Sequence, residues 1–376
     1  MSEARELIAE SIERLFAAQV DHELLVASER GEWPKALWEA VESAGLTRAL
    51  LSDENGGAGG DWLDVFEIAR AAGRHAVPLP LVETVLATWL LEQAGLDVPD
   101  GPLGLLPDLA PMPAPAFELD IAKELVPDAA PSLVESSLRF ERIPWGRHVR
   151  HVVATAPAGD RARVVCVDVS AAEARVLEGR NLALEPRDSL ELATTTPLAG
   201  AADTELPARI VTLYGAMLRA GQMSGALARI LDQAVRYAGE RVQFGRPIGS
   251  FQIIQQELAR LAGQVAETTT AAEVAFRAAA EAKPGFHGRA GEPGDPTFEI
   301  ACAKAVAGDA AELGPRIAHQ VHGAIGFTYE HTLHFSTRRL WAWRAEFGTA
   351  EEWAEELGTA ALAGGAEALW PLVTSR

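Results

Sequence analysis

Residues 241–252 decide the fold, and they read Arg-Val-Gln-Phe-Gly-Arg-Pro-Ile-Gly-Ser-Phe-Gln. Before this stretch, small and apolar residues recur at helical spacing, which predicts a long amphipathic helix from about residue 209 to 239. After it, a second long helix is predicted from residue 251 to about 282. Arg241 therefore stands at the end of the first helix, beside a flexible Phe244-Gly245 turn.

Two interpretations of Arg241 are open from its residue type alone. A guanidinium can pair bidentately with a pyrophosphate, and the nearby Phe244 offers an aromatic face, so the group suits a dinucleotide. The alternative is an arginine that interacts with the helix dipole and with a surface carboxylate. The second motif described below favours the dinucleotide.

The remaining pattern predicts a mainly α protein with a small β insert. Helices are predicted at 297–322 and 330–343, and long helices with short connections favour an antiparallel bundle. Between residues 103 and 206, β-rich runs such as 138–143, 151–155 and 163–169 predict a small antiparallel β domain. We therefore expect an N-terminal helical domain (1–102), a middle β domain (103–206) and a C-terminal four-helix bundle (207–376).

Composition excludes several classes of protein. The formal net charge of −20 opposes binding to nucleic acid. No apolar run approaches the length of a membrane span, and the first residues lack a secretory signal pattern, so a cytoplasmic location is expected. The two cysteines, Cys166 and Cys302, show no zinc or disulfide spacing and are predicted to be small buried hydrophobes.

Four histidines merit a test as metal ligands: His319, His322, His331 and His334. His331 and His334 are three residues apart and would share a helix face. No carboxylate or cysteine completes a ligand set. We expect no metal site and interpret these residues as polar helix-surface histidines.

A second motif, Gln-Val-His-Gly-Ala-Ile-Gly-Phe at 320–327, follows the first after about seventy residues. Together the two motifs resemble the flavin-dinucleotide contacts of the acyl-CoA dehydrogenase family. The resemblance extends over the whole chain, because phrases at 37–39, 45–46, 54–60 and 77–84 look like recurring N-terminal phrases of that family. An acyl-CoA dehydrogenase-like fold is the expectation.

The resemblance implies FAD as the cofactor. By resemblance, Arg241 contacts its diphosphate, and Phe244 and Gln252 contact its adenosine half. Gln320 and Gly323 reach the FAD bound mainly to a neighbouring subunit, and Thr349 also contributes. Ala324 stands where a second glycine is usual, so its methyl group would crowd that side of the site.

The catalytic base of the family is missing. Phe347 occupies the position where a Glu usually precedes Gly-Thr, and an aromatic ring cannot accept a proton. Some members carry the base about twenty-six residues before the motif arginine, and Gly215 stands there. Glu346 is adjacent to Phe347, but on a regular helix it would be rotated by about 100°. A Thr-Glu-Pro and Gly-Ser-Asp pattern for the flavin ring is also absent between residues 103 and 206.

The chain thus resembles the degenerate partner subunit of heteromeric α2β2 acyl-CoA dehydrogenases, a type associated with CoA thioesters of steroid side chains. This implies a homologous catalytic subunit, an acyl-CoA substrate and an electron-transferring flavoprotein as partners. Two alternatives stay open: a self-sufficient homo-oligomeric dehydrogenase that uses Glu346 or another base, and a flavin-free scaffold.

Overall fold

A computed structural model describes residues 3–106, 138–170, 174–192 and 198–374 of the chain. The first part is helical, as expected, because apolar residues recur at helical spacing between Gly and Pro turns. Its helices are α1 (Glu3–Gln19), α2 (His22–Glu29), α3 (Lys35–Ser43), α4 (Trp62–Arg74) and α5 (Leu81–Gln93). The glycine-rich segment before α4 is a loop, and Asp61 caps that helix in a capping box with Asp64.

Two β-sheets follow α5. One has the strand order β1-β3-β4-β7 and the other the order β2-β6-β5. The strands are β1 (Leu103–Leu105), β2 (Leu138–Pro144), β3 (His151–Ala158), β4 (Arg161–Asp168), β5 (Arg175–Leu177), β6 (Arg187–Leu192) and β7 (Leu198–Pro207). The expectation of purely antiparallel strands is corrected at one edge, because β1 pairs with β3 in parallel. The proline cluster at residues 107–115 lies outside the described residues.

Helices resume at residue 210 and pack side by side. They are α6 (Ile210–Glu240), α7 (Gln252–Ala280), α8 (Thr297–His322), α9 (Leu333–Trp343), α10 (Ala350–Gly364) and α11 (Ala366–Thr374). A two-residue-per-strand hairpin, β8 (Val242–Gln243) and β9 (Arg246–Pro247), joins α6 to α7. The predicted helix at 330–343 begins three residues late, because residues 328–332 form turns.

One apolar core runs from the N-terminal helices through the first sheet into the C-terminal helices. Close helix contacts depend on glycine at two positions. A Cβ on Gly73 would lie 1.8 Å from the carbonyl oxygen of Gln222, and a Cβ on Gly225 would lie 1.8 Å from that of Arg70. Helices α4 and α6 therefore approach backbone to backbone, which fixes the N-terminal helices against the bundle.

Cys166 is buried and Cys302 is half-buried, and burial raises the pKa of the Cys166 thiol to about 11. Within the part of the chain that the structure describes, no helix is long and apolar enough to cross a bilayer. The division of the chain at residues 102 and 206 remains a prediction, although helices give way to strands and return near those points.

Candidate functional site

The two sequence motifs line one cleft of about 760 Å³. The end of α6, the β8–β9 hairpin, the start of α7 and the end of α8 form its walls. Four of the predicted site residues meet there: Arg241, Phe244, Gln320 and Gly323. Ala324 lies in the same lining, beside apolar residues such as Ile254. The cleft has the size and the mixed polar and apolar lining of a small-molecule site.

Arg241 is the residue that follows the last turn of α6, and its backbone N–H donates to the Tyr237 carbonyl at 2.9 Å. The side chain is exposed on the cleft. Its guanidinium has no hydrogen-bond or ion-pair partner among the described residues. The alternative interpretation, an arginine that pairs with a surface carboxylate, therefore finds no such carboxylate in the described structure, and the five N–H donors of Arg241 are available to an anion.

Phe244 lies at the tip of the hairpin, and its backbone conformation is unfavourable. Its φ is +54°, and Gly245 follows with φ +81°. A two-residue hairpin turn of this kind prefers Asn-Gly, so an aromatic residue at the first position is strained by about 1 kcal/mol or more. The ring is also 91% exposed. A residue that is both strained and exposed to water on one rim of a cleft is typical of a binding contact held ready for its partner.

The second motif supplies the facing wall. Gly323 ends α8 with φ +63° and ψ −142°, a combination that residues with a Cβ rarely adopt. A Cβ built there would meet nothing within 4 Å, so backbone conformation and not crowding requires the glycine. Gln320 is exposed on the last turn of α8, and its amide can both donate and accept hydrogen bonds.

Two predicted contacts lie apart from this cleft. Gln252 is exposed as the first residue of α7 and does not contribute to the cleft lining. Thr349 caps α10, where its Oγ1 accepts from the N–H of Glu352 and its own N–H donates to the Glu352 carboxylate at 2.8 Å. Within this chain Thr349 thus has a structural role, and the Thr-x-x-Glu spacing of 349–352 was the sequence signal for it.

The two positions where the family resemblance leads one to expect a catalytic base, 215 and 347, are in contact with each other. The ring of Phe347 lies directly over Gly215 of α6, where an added Cβ would come within 2.4 Å of the ring carbon Cδ1. Phe347 has φ +56°, so the 344–348 turn is strained to direct the ring there. A side chain from either position would reach the same point, and an aromatic ring now fills it.

Glu346 lies beside this ring, with its side chain 10% exposed, and is paired with two arginines. Its Oε1 accepts from Arg187 Nε at 2.9 Å and its Oε2 accepts from Arg219 Nε at 2.8 Å. Burial would raise the pKa of Glu346, but the two guanidiniums outweigh burial and lower the pKa to about 2. A carboxylate of such low proton affinity, with its lone pairs already occupied, is a poor general base.

Glu346 and its two arginines belong to a larger network of buried charges that the sequence analysis did not predict. Arg219 also donates to Glu83 at 2.5 Å, and its guanidinium lies 5.7 Å from the centre of the Phe347 ring. Glu185 accepts from Arg187 at 3.2 Å and lies 3.1 Å from Arg339. A sequence signal for part of it existed: Arg219 is the sole charged residue between 210 and 228, and Glu83 is the sole one between 76 and 91.

Lys304 anchors the turn that carries Phe347. Its Nζ donates to the carbonyl oxygens of Arg344 at 2.7 Å and of Gly348 at 2.5 Å, one on each side of the ring-bearing residue. The side chain is fully buried, and burial lowers the pKa of its ammonium to about 7. The position of Phe347 is therefore fixed by two contacts: Lys304 holds the backbone on either side of it, and the Arg219 guanidinium lies over its ring.

The interpretation of the four histidines as helix-surface residues was wrong. His322 and His334 are buried, and His322 stacks on Tyr237 with ring centres 4.7 Å apart. His331 precedes α9, so it does not share a helix face with His334. Burial lowers the pKa of all four imidazoles, which favours the neutral form. In the described ranges, no group of three or more metal-ligating side chains is arranged to hold an ion.

Comparison with known proteins matches both ends of the chain to one family. Residues 2–97 match the model of the acyl-CoA dehydrogenase N-terminal domain, and residues 212–360 match that of the acyl-CoA dehydrogenase C-terminal domain. The chain is 29% identical over 342 residues to the acyl-CoA dehydrogenase IpdE2 of Mycobacterium tuberculosis, which covers 90% of this chain and 91% of that protein.

Two solved structures share the fold. One is the ChsE4-ChsE5 complex of Mycobacterium tuberculosis, with a TM-score of 0.80, 21% identity, and coverage of 96% of this chain and 98% of the other. The second is a variant of the Tcur3481-Tcur3483 steroid acyl-CoA dehydrogenase, with a TM-score of 0.78, 20% identity, and coverage of 97% and 99%. On these matches, the chain belongs to the acyl-CoA dehydrogenase family, and this membership supports FAD as its cofactor.

Proposed function

We propose that this chain is the cofactor-supporting, non-catalytic subunit of a heteromeric acyl-CoA dehydrogenase that desaturates a CoA thioester between its α and β carbons. A homologous subunit would supply the catalytic base and the acyl pocket. This chain would hold the adenosine and pyrophosphate end of a shared FAD.

One observation carries the proposal: the Phe347 ring closes the point where a base from residue 215 or 347 would project. The neighbouring Glu346 is held by Arg187 and Arg219 and cannot substitute for that base. The space left beside Phe347 is a cleft of about 240 Å³, bounded by Leu105, Arg187 and Glu346. Ligand pockets usually span about 300–1,000 Å³, so this remnant is too small for an acyl-CoA next to a flavin ring.

The residues of the larger cleft suit a dinucleotide. Arg241 lines the cleft with an unpaired guanidinium that could bind a pyrophosphate, and Phe244 offers an exposed ring for an adenine. Gly323 permits close backbone approach. Bound FAD would supply the acceptor for the hydride that leaves the β carbon. The role of this chain is to bind and orient one end of the cofactor.

The substrate class is inferred from the relatives. A structure of the same fold is described as a steroid acyl-CoA dehydrogenase made of two different chains, and the ChsE4-ChsE5 structure is also a complex of two chains. We propose a CoA thioester of a bulky, steroid-type acyl group, and an electron-transferring flavoprotein as the electron acceptor. Loss of one acyl pocket in each pair of chains would leave room for such a group.

The first experiment is co-expression of this chain with a family homologue that carries the catalytic Glu. We expect a stable yellow complex that desaturates an acyl-CoA, and we expect the isolated chain to be inactive. Replacement of the Glu in the partner should abolish activity. Turnover by the isolated chain, lost when one of its own carboxylates is replaced, would show that the chain is a self-sufficient dehydrogenase instead.

The second experiment tests the role of the cleft. Arg241→Ala in the complex should weaken FAD retention by about tenfold or more, because it removes a charge-assisted pair with the pyrophosphate. Arg246→Ala is the matched control: Arg246 lies on the same hairpin, stacks on Phe251 at 4.3 Å and does not line the cleft. Equal flavin content in wild type and both variants would favour the flavin-free scaffold.

A further inference from the structure

A separate pocket of about 160 Å³ lies where the α1–α2 turn, the end of α4, the middle of α6 and the start of α9 meet. Its polar lining comes from seven residues: Asp21, His22, Arg74, His75, Arg229, Thr332 and Ser336. None of them lines the dinucleotide cleft or the remnant beside Phe347. The pocket is about as large as five water molecules at roughly 30 Å³ each, so it can hold one small group and not a nucleoside.

Arg229 brings an unmatched positive charge to this pocket. Its side chain is half-buried, and no hydrogen bond or ion pair of its guanidinium exists among the described residues. Burial lowers its pKa, as do the nearby charges of Arg74 and Arg236, and the more distant carboxylates of Asp232 and Glu13 offset part of that effect. An arginine remains protonated at neutral pH, so a cation partly removed from water has no carboxylate of the described structure in direct contact.

Ser336 brings an unmatched hydroxyl. The residue is 3% exposed, and within the described structure the hydroxyl has no hydrogen-bond partner. It lies in the first turn of α9, an eleven-residue helix whose preceding residue, Thr332, makes no capping bond with its side chain. The Leu333 and Phe335 N–H groups at this helix start already donate to His331 and Thr332, so the helix adds mainly its dipole, which favours an anion at the same place.

The acidic groups around the pocket are already partnered. Arg74 donates to Asp232 at 2.7 Å. His75 lies 2.7 Å from the Glu13 carboxylate, and Asp21 accepts from a backbone N–H at the start of α2. Asp21 keeps its negative charge, because its partner is a neutral N–H group, whereas Asp232 and Glu13 are paired with Arg74 and His75. The guanidinium of Arg229 is left without a direct partner among the described residues.

We propose that this pocket binds a phosphate group, either as inorganic phosphate or as the monoester end of a larger compound, with Arg229 and Ser336 as its main contacts. The two residues stand on different helices, α6 and α9. An anion between them would pair with the Arg229 guanidinium and accept a hydrogen bond from the Ser336 hydroxyl. This inference does not depend on the role of the dinucleotide cleft.

Titration calorimetry of the full chain with inorganic phosphate, at an ionic strength held constant with chloride, tests the proposal. We expect saturable binding of one phosphate per chain, weakened about tenfold or more by Arg229→Gln. Arg236→Gln removes the same charge from an exposed position of the same helix, outside the pocket, and should change affinity by no more than about twofold. Equal losses in the two variants, or no saturable binding, would overturn the assignment.

Ser336→Ala is a second, milder variant, which decides the question if Arg229→Gln does not fold. It should weaken phosphate binding about fivefold, the effect of one lost hydrogen bond, and an unchanged affinity would contradict the proposal. Competition with coenzyme A and with its dephospho form identifies the source. Competition by coenzyme A alone indicates its phosphate monoester as the ligand, whereas no competition by either indicates the free ion.

Discussion

At the scale of single residues, the position of Glu346 between two guanidiniums decides its chemistry. A glutamate next to the usual base position looks usable in the sequence, but its proton affinity depends on neighbours 127 and 159 residues away. Burial in an apolar cavity would have raised its pKa and made it a base. Pairing with Arg187 and Arg219 does the opposite, so the residue serves structure.

Replacement of Glu346 by Gln should therefore lower stability and not remove an activity. The change leaves two buried guanidiniums without their shared counter-charge, and loss of one partner of a buried pair costs about 3 kcal/mol or more. Urea unfolding followed by circular dichroism measures the effect. Glu351→Gln, at an exposed site in the first turn of α10, should leave the midpoint unchanged, and equal midpoints for both variants would contradict this account.

Lys304 makes stability depend on pH in the alkaline range. Its pKa is about 7 in the folded chain and 10.5 in the reference state, so the unfolded chain binds more protons between those values. Stability should then rise as pH increases from 7 towards 10, by up to about 1.4 kcal/mol per pH unit. Urea midpoints at pH 7 and pH 9 test this, and the contribution should disappear in Lys304→Met. A pH dependence identical in wild type and variant would show that Lys304 is not its source.

The sequence could predict the identity of the cleft residues but not the network. Arg241 and Gly323 fall within short contiguous motifs, so their types and spacing are visible in the sequence. Arg219 and Glu83 stand out as single charges in apolar runs, which signals a buried pair. Which residues they meet depends on tertiary contacts between segments far apart in sequence, and local pattern does not carry that information.

At the scale of elements, the contact between α6 and the 344–348 turn is sterically specified. Gly215→Ala would place a methyl group 2.4 Å from the Phe347 ring, so either the helix or the turn must move. We expect a loss of about 1–3 kcal/mol in the free energy of unfolding, as for other overpacked cores. The double variant Gly215→Ala with Phe347→Ala should be less destabilised than the sum of the two single changes.

Gly239→Ala is the matched control for this experiment. It stands near the end of the same helix, is exposed, and an added Cβ there meets nothing within 4 Å. Alanine is the better helix former, so this change should raise stability by about 0.5–1 kcal/mol. Strictly additive effects of the 215 and 347 changes would contradict a direct contact.

The long helices were predicted to within about two residues because their apolar periodicity persists over many turns. Helix α9 was predicted to start at residue 330, but the turns at 328–332 delay it. The parallel pairing of β1 with β3 was not predicted, since strand partners depend on contacts between distant segments. Sequence periodicity predicts short helices and strands between the longer elements less well, because they contain too few residues to show a pattern.

At the scale of the whole molecule, the buried charges connect all three predicted domains. Glu83 comes from α5, Arg187 from β6, and Arg219 from α6. Their pairing would hold the predicted domains in one arrangement, which a rigid template for a partner chain and a shared cofactor requires. The network thus lies next to positions 215 and 347, where the family resemblance leads one to expect the catalytic base.

This arrangement predicts the number of flavins in the assembly. The cleft proposed for the dinucleotide end is about 760 Å³, whereas the space beside Phe347 is about 240 Å³. Under the proposed function, each pair of one such chain and one catalytic chain should therefore bind one FAD. Flavin absorbance at about 450 nm, divided by the concentration of each subunit from quantitative gel analysis, measures the ratio. Two flavins per pair would show that both chains hold a ring, and the proposed division of roles would be wrong.

The contact of the Phe347 ring with Gly215 also limits which substitutions could restore a catalytic base during evolution. A glutamate introduced at 215 would collide with the ring, and one introduced at 347 would arise close to the Arg219 guanidinium and lose proton affinity. Neither Gly215→Glu nor Phe347→Glu alone yields a competent base, so a catalytic site in this chain would require several coordinated substitutions. Under the proposed function, descendants of this chain should keep their dependence on a catalytic subunit, and the two genes should be gained or lost together.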